Sequence, residues 1–130
     1  MVRNPFRRKK VEKQAEEAKP TDLERMCGED KEIYKALRHT MFLDPRKVGI
    51  TMDEAAKEAV ESEKKGDNVQ ATVFYHIAGG LALWKGDVAK IKQYFGKCAK
   101  MSPEMDCELI TKIPARAVAK AQEYYGEYLK

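Results

Sequence analysis

From residue 21 onward, hydrophobic residues recur with the period of an α-helix, and no stretch shows the sustained alternation of a β-strand. Ile33, Leu37 and Met41 fall on one stripe of a helix that is predicted to run from residue 29 to about residue 42. Asp44-Pro45 ends this segment, because the residue before a proline is pushed away from helical backbone angles. The pattern predicts an all-α chain.

Two helix starts carry a capping box, in which a threonine and the glutamate three residues later satisfy exposed amides of the first turn. These boxes are Thr21–Glu24, which opens a short helical turn to Gly28, and Thr51–Glu54. The second predicts a helix that ends near Lys65. Its predicted inner side carries Ala55, Ala56, Ala59 and Val60. Small residues on that side would let a neighbouring helix approach closely.

The middle of the chain repeats a Lys-Gly-Asp turn at 65–67 and at 85–87. In each copy the glycine suits the left-handed position beyond one helix, and the aspartate caps the next helix. The predicted helix between them covers 68–84, and its segment 71–84 holds no charged residue, which is typical of a helix buried on all sides. Gly79-Gly80 should cost about 1 kcal/mol each in helix propensity, which predicts the close approach of another helix backbone.

The rest of the chain predicts three further helical segments. One ends near Met101, a second starts at Ser102-Pro103, and a third follows the break at Pro114. Their predicted apolar positions are Val88, Ile91, Phe95 and Cys98 in the first, Met105, Leu109, Ile110 and Ile113 in the second, and Val118, Ala121, Tyr125, Tyr128 and Leu129 in the third. The expected architecture is five to six antiparallel helices joined by short turns.

Within residues 72–103, bulky and small residues follow a spacing that points to a known repeat. They are Tyr75, Ala78, Gly79, Gly86, Phe95, Cys98 and Pro103. With this spacing the segment resembles one tetratricopeptide unit of about 34 residues. It departs from the family pattern at Ala82 and Ile91, and the Lys-Gly-Asp turns are separated by less than one such unit. The resemblance implies a stack of helical hairpins whose concave side holds a peptide or a partner domain.

Charge divides the chain into two parts. Residues 1–10 hold five basic residues and no acid, and these basic residues are Arg3, Arg7, Arg8, Lys9 and Lys10. Because the whole chain has 25 basic and 21 acidic residues, the remainder is close to neutral and shows no basic stripe. We therefore expect residues 1–20 to form a mobile basic arm and residues 21–130 to form a single helical domain. The arm is either an electrostatic tether to nucleic acid or an anionic membrane surface, or a solubilising tail.

Catalytic and metal-binding patterns were sought and not found. Cys27, Cys98 and Cys107 form no CxxC pair, and His39 and His76 do not share a helix face with an acid between them, so no metal site and no cofactor are predicted. No phosphate-binding loop or nucleophile elbow occurs either. We expect a core role for Cys98, a hydrogen-bonded packed His76, a solvated His39 and no enzymatic activity.

Two aromatic residues remain as candidate partner-binding positions, because aromatic side chains dominate interface hot spots. They are Trp84, at the end of the apolar helix, and Tyr124, in the C-terminal tyrosine cluster. The sequence favours a cytoplasmic adaptor that binds another protein or peptide in a groove between hairpins, with the arm as a secondary tether. The alternative is a nucleic-acid- or ribosome-associated factor bound through the arm. Association with a second copy of the chain stays open.

Overall fold

The computed structural model describes residues 21–41 and 44–129, so the predicted basic arm lies outside the described residues. Within these ranges the protein is all-helical, with seven α-helices, one 3-10 turn at Pro103–Met105 and no β-strand. The α-helices are α1 (Asp22–Cys27), α2 (Lys31–Arg38), α3 (Met52–Lys64), α4 (Asn68–Lys85), α5 (Val88–Met101), α6 (Glu108–Lys112) and α7 (Pro114–Tyr128). The all-α prediction is confirmed for this part of the chain.

Side-chain caps explain where the first five helices begin. Each starts after a residue whose side chain accepts a hydrogen bond from a first-turn amide, and these residues are Thr21, Asp30, Thr51, Asp67 and Asp87. The capping box at Thr51 is complete, because its backbone amide also donates to Glu54 at 2.9 Å. Both Lys-Gly-Asp turns have the predicted geometry, with positive φ at Gly66 and Gly86. Local sequence thus sets these boundaries.

Helix α4 occupies the centre of the molecule. It packs along α3 and α5, and α7 contacts its C-terminal end. Gln122 in α7 secures that contact, because its side-chain amide donates to the carbonyl oxygens of Leu83 at 2.7 Å and Trp84 at 3.0 Å. On the other side of α7, helix α2 packs against α1, α6 and α7.

Gly79 accommodates an aromatic side chain rather than a helix backbone. A Cβ atom at this position would lie 2.7 Å from ring carbons of Phe95, which is fully buried. The predicted backbone approach instead occurs at Gly80, where the Thr40 carbonyl oxygen lies 3.7 Å from the Cβ position, an ordinary contact distance. That carbonyl belongs to a loop, so the prediction of a helix backbone was wrong at both glycines.

Two helix boundaries in the structure also differ from the predicted ones. Helix α2 ends at Arg38, and Thr40 follows with its hydroxyl donating to the Ala36 carbonyl oxygen at 2.9 Å. The predicted end at residue 42 lies outside the described residues. The helix predicted from Ser102-Pro103 is interrupted, because Asp106 adopts a left-handed backbone with φ of 55° between the 3-10 turn and α6.

Several apolar residues predicted to face inward are exposed. Helix α3 buries Ala55, Ala59 and Ser62 but leaves Val60 39% exposed. Helix α4 is not buried on all sides, because Val69 is 78% and Val73 48% exposed. The remaining exposed large apolar side chains of the described residues are Val88 and Tyr128. The prediction that α4 is buried on all sides was therefore wrong for its N-terminal half, where one side of the helix faces solvent although it carries no charge.

Candidate functional site

The two predicted partner-binding aromatics lie on either side of a buried tyrosine. The Trp84 ring meets Tyr125 edge-on with centroids 4.9 Å apart, and Tyr124 approaches Tyr125 at 6.3 Å. Tyr124 also packs on Tyr128 at 4.8 Å. Tyr125 is buried, whereas Trp84 and Tyr124 are half-buried. Four aromatic rings thus form a continuous row from the end of α4 along α7.

Tyr124 lines one of two adjacent surface depressions that share Tyr34 of α2. The part beside Tyr124 has a volume of about 270 Å³ and is lined by Thr21, Leu23, Tyr34, Arg38, Met41 and Tyr124. A second part of about 560 Å³ is lined by Glu24, Lys31, Glu32, Tyr34, Lys35 and Leu109. Because Tyr34 lines both parts, we describe them together as the Tyr34 groove. The groove therefore has aromatic and aliphatic walls contributed by α1, α2, α6 and α7.

Trp84 does not line the Tyr34 groove. It contacts the groove indirectly, because it packs on Tyr125 and Tyr125 packs on Tyr124. The structure therefore separates the two predicted residues, with Tyr124 in the groove wall and Trp84 behind it.

Charged side chains of both signs line the groove. Glu32 is engaged by Arg116 of α7, whose guanidinium donates to it at 2.8 Å and to Asp30 at 2.9 Å. Lys31 and Lys35 form no ion pair within the described part of the chain. The remaining charges of the lining are Arg38 and Glu24. The groove therefore presents an excess of positive charge around an apolar floor.

The phenol of Tyr124 can donate a hydrogen bond in the groove. Burial, assisted by the charge of Asp22, raises the pKa of Tyr124 further above its ordinary value, which already leaves the phenol protonated at neutral pH. The Arg38 guanidinium carbon lies 6.0 Å from the centroid of the Tyr34 ring, within cation–π distance. These groups can contact a ligand through a phenol, an aromatic face and a cation.

Sequence reasoning missed the groove residues Leu23, Tyr34, Arg38 and Met41. Tyr34 directly follows the predicted core position Ile33 and gave no local sign of exposure. Its groove partner Tyr124 lies in α7, at the far end of the chain. Only the packing of α2 against α7 brings them to one surface.

Helix α5 carries a second charged surface that the sequence analysis did not anticipate. Its four lysines are Lys90, Lys92, Lys97 and Lys100, and the helix contains no acid. The spacing of Lys90, Lys97 and Lys100 places them along one side of the helix. Lys90 lies over the ring of Tyr94, and Lys97 lies over that of Tyr75 while pairing with Glu63 at 3.2 Å. A basic stripe therefore exists in the helical part of the protein.

The two histidines and Glu63 of α3 contact other residues of the helical part of the protein. His76 is buried and its Nε2 lies 2.8 Å from the His39 carbonyl oxygen, which confirms the prediction of a hydrogen-bonded core histidine. His39 is partly exposed, 3.5 Å from Asp106. Glu63 of α3 is partly exposed and accepts a hydrogen bond from the Tyr75 hydroxyl at 2.7 Å. That bond is the main reason that the pKa of Glu63 is lowered.

Within the described ranges, no three His, Cys, Asp or Glu side chains gather as a metal site. None of the helices of residues 21–41 and 44–129 has both the length and the apolar character needed to cross a bilayer. Comparison with known proteins gives no further guide, because no family model, curated protein or solved structure matches this chain.

Proposed function

We propose that this protein is a non-enzymatic adaptor that binds a segment of another protein in the Tyr34 groove. The observation that carries the proposal is the joining of Leu23, Tyr34, Met41 and Tyr124 into one accessible wall. Tyrosine is a favoured anchor of protein interfaces, because it offers a large rigid contact area and a polar tip. The adaptor acts in the cytoplasm, in keeping with three reduced cysteines in the described residues.

The chemistry of the groove defines the partner segment. An aliphatic or aromatic side chain would fill the part between Leu23 and Tyr124, where the lining is least polar. Acidic residues beside this anchor would face Lys31, Lys35 and Arg38 at the rim. Complementary rim charge mainly increases the association rate and the specificity, whereas the apolar anchor supplies most of the affinity. The expected partner is therefore an acidic segment with a central hydrophobic residue.

The proposal includes a hairpin of α4 and α5 that packs like one tetratricopeptide unit. In support of this part, Gly79 of α4 lies against the ring of Phe95 in α5. The hairpin also turns at Gly86, as the resemblance implies. The tetratricopeptide-like part of the proposal is limited to this hairpin. The docking site is the Tyr34 groove, which α1, α2, α6 and α7 form, rather than a concave repeat surface.

Selection from a peptide library on the immobilised full chain tests the adaptor proposal. We expect enrichment of peptides that combine one hydrophobic anchor with Asp or Glu, and weaker binding by Tyr34→Ala and Tyr124→Ala. Arg38→Glu should weaken binding of acidic peptides, whereas Lys92→Glu on α5 is the matched charge-reversal control and should bind normally. Peptides that bind the three groove variants as well as they bind the parent chain would refute the groove as the docking site.

A second candidate function, binding of nucleic acid, is favoured by the α5 lysine stripe and its aromatic neighbours. Lysines that neutralise phosphates make binding fall steeply with salt. Titration of a labelled single-stranded RNA should then show a salt-dependent affinity that drops in Lys90→Glu/Lys100→Glu and in a chain lacking residues 1–10. The adaptor predicts that peptide binding survives this deletion, because the groove is formed by residues of the helical part.

A further inference from the structure

Two of the three cysteines meet inside the protein although nine positions separate them in sequence. The Cys107 thiol donates a hydrogen bond to Cys98 with the sulfur atoms 3.4 Å apart, and both residues are fully buried. Cys98 lies in the last turns of α5, and Cys107 immediately precedes α6. Cys27 lies in α1 and is also buried as a free thiol. The packing of the helices therefore brings Cys98 and Cys107 together as a dithiol, and Cys27 is not part of it.

We propose that Cys98 and Cys107 are a modification site that forms a reversible intramolecular disulfide on reaction with hydrogen peroxide. A disulfide bond is about 2.05 Å long, so the sulfur atoms need to approach by roughly 1.4 Å from their present separation. The segment that joins them contains a short 3-10 turn and the left-handed Asp106. Short irregular segments of this kind open locally at lower free-energy cost than helices do, which gives the oxidant access.

The reaction proceeds in two balanced steps. The Cys98 thiolate attacks one oxygen of the peroxide, the O–O bond breaks, and hydroxide leaves as the sulfur becomes a sulfenic acid. The Cys107 sulfur then attacks the Cys98 sulfur, the S–O bond breaks, and the departing oxygen takes the proton of Cys107 and leaves as water. Two thiols are oxidised and one peroxide is reduced to two waters, the second forming when the first hydroxide recovers the proton lost from Cys98.

The environment of the pair assigns the order of attack. The hydrogen bond from Cys107 lowers the pKa of Cys98, because it stabilises the Cys98 thiolate. The same bond, together with burial, raises the pKa of Cys107. Because Cys98 is the acceptor of the hydrogen bond from Cys107, we assign the first attack to Cys98 and the resolving step to Cys107.

Peptide mapping of the full chain tests the proposal, because trypsin places each cysteine in a separate peptide, 26–31, 98–100 and 101–112. The folded protein is treated with hydrogen peroxide, quenched, denatured and alkylated. We expect a cross-link between peptides 98–100 and 101–112 that dithiothreitol removes, while peptide 26–31 is recovered alkylated. Cys27→Ser should retain this cross-link, and Cys98→Ser and Cys107→Ser should each lose it completely.

Three outcomes would overturn the proposal. The first is recovery of all three peptides alkylated, or of Cys98 and Cys107 separately over-oxidised. The second is a cross-link that includes Cys27 or joins two chains. The third is a Cys98–Cys107 cross-link that forms only in guanidinium chloride, which would place its origin in the unfolded chain. If Cys98→Ser and Cys107→Ser do not fold, peptide mapping of the parent chain and of Cys27→Ser still tests whether the Cys98–Cys107 cross-link forms.

Discussion

The hairpin region, α3 to α5, and the end region, formed by α1, α2, α6 and α7, are stabilised by different kinds of interaction. In the hairpin region, helices that are neighbours in sequence pack side by side and turn at Gly66 and Gly86. In the end region, Arg116 reaches Asp30 and Glu32 across more than 80 positions of the chain. The comparison shows that local signals build the central scaffold, whereas the candidate binding groove depends on contacts between distant parts of the sequence.

The largest loss of stability is expected when Phe95, the buried aromatic residue of the hairpin region, is truncated to alanine. Phe95→Ala should lower the free energy of unfolding by about 3–5 kcal/mol, because it leaves a cavity in a fully buried site. Tyr34→Ala in the end region should cost only about 1–2 kcal/mol, because that side chain is half-buried. Urea unfolding of both variants measures the difference. Equal losses would contradict the difference in burial between Phe95 in the hairpin region and Tyr34 in the end region.

The next largest loss of stability is expected when an extra methyl group is introduced against Phe95, at Gly79. Gly79→Ala should destabilise the protein by about 1–3 kcal/mol, because the added Cβ would collide with the Phe95 ring. Gly96→Ala is the matched control in the neighbouring helix, since no atom lies within 4 Å of its Cβ position. That control should stabilise α5 by roughly 0.5–1 kcal/mol through helix propensity. Thermal melts of the two variants should therefore shift in opposite directions.

The junction between the two regions should respond to pH through His76. Burial lowers the pKa of this histidine, although its hydrogen bond to the His39 carbonyl oxygen acts in the opposite direction. The folded state then binds the proton less readily than the unfolded state, so stability falls as the pH drops below the unfolded pKa of about 6.5. The fall continues until the folded pKa is reached, with a slope of at most about 1.4 kcal/mol per pH unit.

Urea midpoints of the parent chain and of His76→Gln, measured between about pH 7.5 and 5.5, give this contribution as the difference between the two profiles, because the other histidine, His39, is present in both. His76→Gln should remove it and leave a flatter profile than that of the parent chain. An unchanged profile in the variant would assign the pH dependence to other groups.

The smallest effect is expected from the ion pairs of the end region. Arg116→Ala should lower the free energy of unfolding only slightly, because the guanidinium and both carboxylates are substantially exposed. Added salt should shrink the difference from the parent chain. Lys112→Ala, which removes only a pair within α6, provides the control for loss of a surface charge. A larger, salt-independent loss for Arg116→Ala would show that it contributes through packing as well.

Prediction from sequence succeeded where the determining interactions are local. The capping threonine at Thr51 and the aspartates at Asp67 and Asp87 bond to amides three positions away, so the residues themselves define the helix starts. It failed at Val60 and Val73, because the helical period identifies an apolar stripe but not whether a neighbour covers it. Tyr124 was named as a partner-binding candidate and lies in the wall of the Tyr34 groove, whereas Tyr34 carried no local signal.

By itself, the sequence determined the helical content, the two Lys-Gly-Asp turns and most helix boundaries, because capping and periodicity act over three or four residues. Tertiary structure alone decided that Tyr34 and Tyr124 share a groove, that Phe95 lies over Gly79, and that Cys98 meets Cys107. Those outcomes depend on the relative placement of whole helices. That placement follows from the burial of many side chains at once, so no short pattern in the chain records it.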